Sequence, residues 1–248
     1  MTRSLQTILA YRVSELYLLA SLKLMDWSSE LWIVLLFIGI SLVVGVRVYA
    51  NRSRAKALNA VVARLGLFRL DDQAPFSLGE RKGFSLFSRG NSRKWENIFS
   101  NNAPVITELL FDFGYTFGIP LLASARYRQT VAAFSARVTN LPDFQMAPAT
   151  TLDRMAPKLG FQAIQFASRP DFGKKYWLRA DDEIAVRALF SDTFIDRLAS
   201  TDSKTVWYVE KAGQWLLVYR HGLLFAPEAL PEFWQASRGI ANLFLKTS

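Results

Sequence analysis

LWIVLLFIGISLVVGVRVYA, residues Leu31 to Ala50, decides how the rest of the chain is read. No charge falls between Leu31 and Val46, and Arg47 is the one charge in the remaining four residues. A helix of about 20 residues, at 1.5 Å each, crosses the ~30 Å hydrocarbon core of a bilayer. Trp27 and Trp32 at one end and Tyr49 at the other fall where interfacial aromatics belong, and Arg47 can snorkel to the headgroups. The expectation is a transmembrane helix over residues 27–50, anchored through Trp32, Leu35, Phe37, Val43 and Tyr49. A buried core helix rarely combines so long an uncharged run with an aromatic and basic border. A cleaved signal peptide would be shorter and followed by a small-residue cleavage site.

The flanks of this segment account for most of the chain's charge. The formal charge is +9, and residues 1–70 contribute nine Lys/Arg against Glu15, Asp26 and Glu30. The remaining residues are near balance, with 21 basic and 18 acidic groups. Arg47, Arg52, Arg54, Lys56 and Arg64 crowd the C-terminal side of the segment, whereas Arg12 and Lys23 lie on the other. The positive-inside rule then puts the C-terminal domain in the cytoplasm. Arg47, Arg52, Arg54 and Lys56 are the residues expected to meet lipid headgroups, from a basic juxtamembrane helix over residues 51–70. A solvated helix face that only satisfies the positive-inside rule is the alternative.

Before the segment, Leu5, Ile8, Leu9, Val13, Leu16, Tyr17, Ala20 and Leu24 recur at helical spacing, broken by Arg12, Glu15 and Lys23. Residues 1–26 therefore read as an amphipathic helix. It lies in the interface, packs on a partner, or precedes a true start at Met25; the pattern leaves all three open.

Composition narrows the chemistry. The chain has 51% hydrophobic residues and 14% aromatics, enough for a real core. It has no cysteine and one histidine, His221, which excludes thiolate metal sites, disulfides and multi-histidine centres. No Gly-x-Ser-x-Gly elbow accompanies His221, and a surface or turn position is the expectation for it. The glycines at 79, 83 and 90 match neither a P-loop nor a dinucleotide fingerprint. Basic density beside a membrane segment rather than on the domain argues against nucleic acid. No cofactor is expected.

Residues 71–248 read as one soluble α+β domain: a mixed, mainly antiparallel sheet with two or three packed helices. Strands are expected at Gly83–Phe87, Glu96–Ser100, Val105–Phe117 and Gln129–Val138, with a polar turn over Ser88–Lys94 and a connection over Gly118–Tyr127. Further strands fall near Phe144–Met146, Phe161–Phe166 and Tyr176–Arg179, with a helix over Thr151–Leu159 between them. Asp181-Asp182-Glu183 opens a helix to about Ala199, with Ile184, Leu189, Phe194, Ile195 and Leu198 inward. Thr205–Lys211 and Gln214–Arg220 flank Ala212-Gly213 as a hairpin, and a final helix runs from Glu228 or Pro231 to Lys246. Its apolar side is Leu230, Phe233, Trp234, Ile240, Ala241 and Phe244.

Among the carboxylates, Asp112 stands in an apolar strand, LLFDFGY, where alternation puts it on the polar face with Gly114. The basic Arg89–Lys94 loop reads as a solvated hairpin turn in preference to a phosphate site. The residues support two functional expectations. One is a membrane-anchored interaction or scaffolding module that binds a protein partner or itself. The other is a membrane-associated enzyme or small-ligand or phosphate sensor using Asp and Arg residues, with several of Asp112, Arg126, Arg128, Arg179 and Arg187 in a concave pocket.

LGLFRL, LFSRGNSRKWENIF, FDFGYTFG, QTVAAFSARVTNLPDFQMAP, FASRPDFGKKYWLRADDEIAVRALF and VEKAGQWLLVYRHGLLFAPEAL, in that order, make residues 60–230 resemble a group of uncharacterised bacterial single-pass membrane proteins. These pair an N-terminal anchor with a cytoplasmic domain of unknown function. Phe172–Tyr219 is also similar in layout to a broader family of bacterial membrane-associated domains, in which a strand, a helix and a hairpin succeed one another. Here that layout falls on Asp182, Arg187 and Trp207–Tyr219. The resemblance implies a bacterial cytoplasmic membrane and no particular activity.

Overall fold

A computed structural model of the chain describes residues 3–70, 76, 82–101, 107–119, 123–135, 140–149, 163–201 and 206–245. It divides into two compact units, Met1–Arg54 and Ala55–Ser248.

The first unit is helical. Helix α1 runs without a break over Arg3–Arg64 and continues into the second unit. Among the described residues it is the one helix long and apolar enough to cross a membrane, over Leu31–Arg64. The helix does not end at the expected borders, residues 26 and 50; it stops near Gly66, whose φ of 72° suits a glycine ending a helix.

The second unit is an α+β fold on one sheet. Its strands are β1 (Phe68–Arg69), β2 (Asn91–Ser100), β3 (Glu108–Ile119), β4 (Ala123–Ser135), β5 (Phe144–Pro148), β6 (Tyr176–Arg179), β7 (Tyr208–Ala212) and β8 (Trp215–Tyr219). They order as β1-β2-β3-β4-β8-β7-β5-β6, with every adjacent pair antiparallel. The helices are α2 (Ser85–Ser88), α3 (Pro170–Lys175), α4 (Glu183–Leu189), α5 (Asp192–Thr201) and, after a short 3-10 turn at Pro227–Ala229, α6 (Leu230–Leu245).

Side chains alternate along each strand, and here both faces are covered. On one face Leu110, Ala132, Phe134, Met146, Val209, Leu216 and Val218 lie under α3, α5 and α6. Leu58 and Val62 from the end of α1 and Leu67 belong to the same core, so the domain begins before residue 71. Phe144, Phe190, Phe194 and Phe244 form its aromatic centre, with ring centroids 4.9–5.9 Å apart in the contacting pairs. On the other face Leu109, Phe111, Phe113, Val131, Ala133 and Leu217 lie under Phe76, Phe84, Leu86 and Phe87. All six expected apolar residues of α6 are buried.

Several local expectations are corrected. Ser85–Ser88 is helix α2, not part of a strand, because Leu86 and Phe87 face the sheet as a lid. The polar turn is short, and strand β2 already begins at Asn91; two register shifts in it, at Asn91/Lys94 and Glu96/Phe99, absorb residues that broke the alternation. Ser92 and Asn97 sit there with positive φ. Strand β4 begins at Ala123, so most of the expected Gly118–Tyr127 connection is paired strand; its polar face is exposed, which made ASARYR read as loop. Ala163–Phe166 is not strand, although Ile164 N–H donates to the Leu178 carbonyl at 2.8 Å.

The helix expected from Asp181 to Ala199 is two helices. Asp182 caps α4 by accepting from Ala185 N–H at 3.0 Å, and Ser191 Oγ accepts from Phe194 N–H at 3.4 Å at the start of α5. With the chain bending between them, Val186 turns inward and Ile184 is 84% exposed instead of buried. The helix expected over Thr151–Leu159 lies outside the described residues.

Candidate functional site

Trp32, Leu35, Phe37, Val43 and Tyr49 are all exposed, as is every large apolar side chain from Leu31 to Val46. A soluble helix buries such a stripe; none of this apolar window is buried by the described residues. Arg47 lies within the helix, Arg52 and Lys56 are exposed, and Arg54 is half-buried.

The five residues of which several were expected to share a pocket divide into two sets. Asp112, Arg126 and Arg128 sit on one side of the β3–β4 ladder, at Asp112↔Thr130, Gly114↔Arg128 and Thr116↔Arg126. Arg179 and Arg187 sit at the other end of the sheet, on β6 and α4. Four strand spacings separate β4 from β6, about 19 Å. Arg187 donates to Glu183 at 2.8 Å and to the Gln165 carbonyl at 2.7 Å, and lies over the Phe166 ring, which pins residues 163–166 to α4. Arg179 lies 4.0 Å from Asp181.

Asp112 does share a face with Gly114, but the position is buried rather than solvated, at 3% exposure. Its Oδ2 accepts from Asn97 Nδ2 at 2.9 Å and its Oδ1 from Thr130 Oγ1 at 3.1 Å. Thr130 Oγ1 in turn accepts from Phe225 N–H at 3.1 Å. These bonds join the β2 bulge, β3, β4 and the segment before α6. Beside them Arg128 donates to Glu96 at 2.8 Å, crossing Gly114, where a Cβ would come 3.3 Å from the Arg128 Cγ.

A second polar cluster, on the opposite face, was not visible in the sequence. Glu210 is 2% exposed, and its Oε1 accepts from Tyr219 at 2.6 Å and Ser85 Oγ at 2.8 Å. Its Oε2 accepts from Leu86 N–H at 3.3 Å. Arg89 lies over the Tyr208 ring and donates to His221 Nδ1 at 3.3 Å. A guanidinium only donates, so Nδ1 is the acceptor and the ring proton sits on Nε2.

Around His221 stand Tyr127, Tyr208 and Tyr115, with centroids 5.5, 5.6 and 6.3 Å from its ring. Gly222 N–H, next in the chain, donates to Gln129 Oε1 at 2.9 Å. His221 is thus in a turn, as expected, but half-buried rather than on the open surface. Arg89, expected in a solvated loop, is half-buried, with contacts to His221 and Tyr208.

The electrostatics reflect that geometry. Burial, then the Arg89 charge, lower the His221 pKa to about 4, so the ring is neutral near pH 7. Burial works against the Arg89 charge, but Tyr219, Glu210 and Tyr115 outweigh it and raise its pKa. Burial and then the Glu210 charge push the Tyr219 hydroxyl well above its usual range, so it stays protonated and donates. Three donors engage both oxygens of the Glu210 carboxylate. Chemically the cluster is a lock: it fastens the α2 lid to β7 and β8, with the Arg89 charge near enough to Glu210 to be stabilised by it.

Neither cluster could be found from spacing. Ser85, Arg89, Tyr115, Glu210 and His221 lie on separate stretches of the chain, and only the strand order brings them together.

No family model matches the chain, and no curated protein matches it. Among solved structures, the crystal structure of the mycobacterial trehalose monomycolate transport factor A, TtfA, is similar at 11% identity and a TM-score of 0.48. The likeness covers 77% of this chain and 94% of that one.

Proposed function

We propose that this chain is a membrane-anchored interaction or scaffolding module, with α1 as a single transmembrane anchor and the α+β domain on the cytoplasmic side. The observation that carries the reading is the uninterrupted exposed apolar surface from Leu31 to Val46. Water would make such a surface costly, at roughly 25 cal/mol per Å² of apolar area, and lipid removes that cost. The excess of Arg and Lys after the helix supports the orientation. The resemblance of residues 60–230 to bacterial single-pass proteins supports a bacterial cytoplasmic membrane as the compartment. Binding of a protein partner, or of a second copy, accords with polar clusters whose carboxylates are occupied by internal donors.

Membrane fractionation and cross-linking test this. Alkaline extraction of membranes from cells expressing the full chain should leave it in the pellet, and release to the supernatant overturns the anchor. Protease added to inside-out vesicles should degrade the domain, and protection there overturns the orientation. Cross-linking in intact membranes followed by mild-detergent purification should give a discrete complex. A monomer under all conditions removes the interaction role.

A further inference from the structure

Strands β3 and β4 form a hairpin that outruns its neighbours. Strand β4 meets β8 only from Val131 onward, and β2 accompanies β3 only as far as Thr116. Beyond that point Phe117–Ile119 and Ala123–Ala125 pair with each other alone. At ~3.4 Å per residue, β4 runs about 27 Å past β8 as a stem from Val131 to Ala123. Strand β2 flanks the hairpin as far as Arg126 and residues 222–223 lie at its base, so that its unaccompanied end is about 7 Å long.

The two faces of this stem differ in kind. One carries Tyr115 opposite Tyr127 and Phe117 opposite Ala125. Phe117 is 58% exposed and Tyr127 36%, and Leu223, whose carbonyl accepts from Thr130 N–H, is 42% exposed beside them. The other face carries Lys94, Gly114 and Arg128 in one row across three strands, then Thr116 and Arg126 in the next. Arg128 is engaged by Glu96. Lys94 and Arg126 are exposed and meet no carboxylate among the described residues. The sequence joining the two strands, Pro120-Leu121-Leu122, adds no charge.

Exposed aromatics at a projecting end, backed by exposed cations, match the boundary between acyl chains and anionic headgroups. We propose that the end of the β3–β4 hairpin is a lipid-contacting element: Phe117 and Tyr127 seat at the headgroup boundary, and Lys94 and Arg126 meet lipid phosphates. The charge complementarity favours an anionic bilayer over a second copy of the chain, whose hairpin would present the same cations. The inference rests on the membrane reading of α1, since a tethered domain meets the bilayer at high effective concentration and even a weak contact is occupied.

The chain contains no cysteine, so one introduced cysteine is a unique labelling site. Phe117→Cys and, as a control, Ile184→Cys would each carry an environment-sensitive fluorophore on the full-length protein. Each would be reconstituted into vesicles of phosphatidylcholine with or without phosphatidylglycerol. Both positions are exposed, so labelling should leave the fold intact, which circular dichroism checks. The label at 117 should shift to the blue and be quenched by headgroup-level spin-labelled lipid about twofold or more over the label at 184, mainly with anionic lipid.

Lys94→Glu with Arg126→Glu should abolish that difference. Quenching at 117 no greater than at 184, or indifferent to lipid charge, overturns the proposal. So does a signal that tracks protein density instead of lipid charge, which would mean contact between copies. If alkaline extraction leaves the chain embedded while the 117 label stays unquenched, the hairpin contact alone fails. If extraction releases it, the anchor fails.

Discussion

The Tyr219 hydroxyl lies 2.6 Å from Glu210 Oε1 across the β7–β8 pair, donating to a carboxylate sealed from water. A short bond to a buried anion is among the stronger ones a protein makes. Tyr219→Phe leaves Glu210 with one donor fewer and should cost about 1.5–3 kcal/mol in chemical or thermal unfolding. Glu210→Ala should cost more, about 3–5 kcal/mol, because Tyr219, Ser85 and the Leu86 N–H then lose their acceptor and the nearby Arg89 loses a stabilising negative charge. Adding Arg89→Met to Glu210→Ala should recover part of that loss. If both single variants unfold like the parent, the lock is not structural.

His221 gives the domain a pH signature. Its folded pKa, about 4, is below the usual value of 6.5, because burial and then Arg89 disfavour the imidazolium. The unfolded chain therefore binds the proton more readily. The stability contributed by the neutral ring is fully present above about pH 6.5 and is lost as pH falls toward 4. Unfolding midpoints measured across that window should fall more steeply for the parent than for His221→Gln. Parallel curves for the two would remove His221 as the cause.

Gly213 turns the β7–β8 hairpin at φ 54°, with nothing within 4 Å of where a Cβ would stand. Gly213→Ala is thus a purely conformational change and should destabilise by roughly 1–2 kcal/mol. Gly213→Asn should cost less, since Asn tolerates this region better. Thermal melts of the three proteins settle the order.

Phe244 stands at the centre of the larger core, with the rings of Phe144, Phe190 and Phe194 at 5.2, 5.9 and 4.9 Å. Phe244→Ala removes the residue that ties α6 to α5 and to β5. A loss of about 3–5 kcal/mol is expected, read as a lower unfolding midpoint. Phe244→Leu should cost much less, and equal losses for the two would mean that the ring contacts matter little.

What could be read from the chain alone was whatever repeats at short range. The uncharged run from Leu31 to Val46, the Asp182 cap, the β7–β8 hairpin (its turn at Gly213-Gln214, one residue later than expected) and the inward stripe of α6 all depend on neighbours within a few residues. The α+β class came from them. Boundaries were less legible where a local signal was outweighed. ASARYR reads as loop because its outward side chains are polar, yet its backbone pairs with β3 throughout. Ile184 reads as core only if α4 and α5 are one helix, and the turn at Phe190-Ser191 makes them two.

The sequence by itself determined that an apolar helix precedes an α+β domain, because hydrophobic period and charge placement are properties of contiguous residues. Tertiary structure alone decided which residues meet. Glu210, Arg89 and His221 come together because β8 lies beside both β4 and β7, with the α2 lid over that face. The same order puts four strand spacings between β4, which carries Arg128, and the edge strand β6, which carries Arg179. A side chain's partners across a sheet depend on strand order and register, and neither is written in the spacing of residues along one strand.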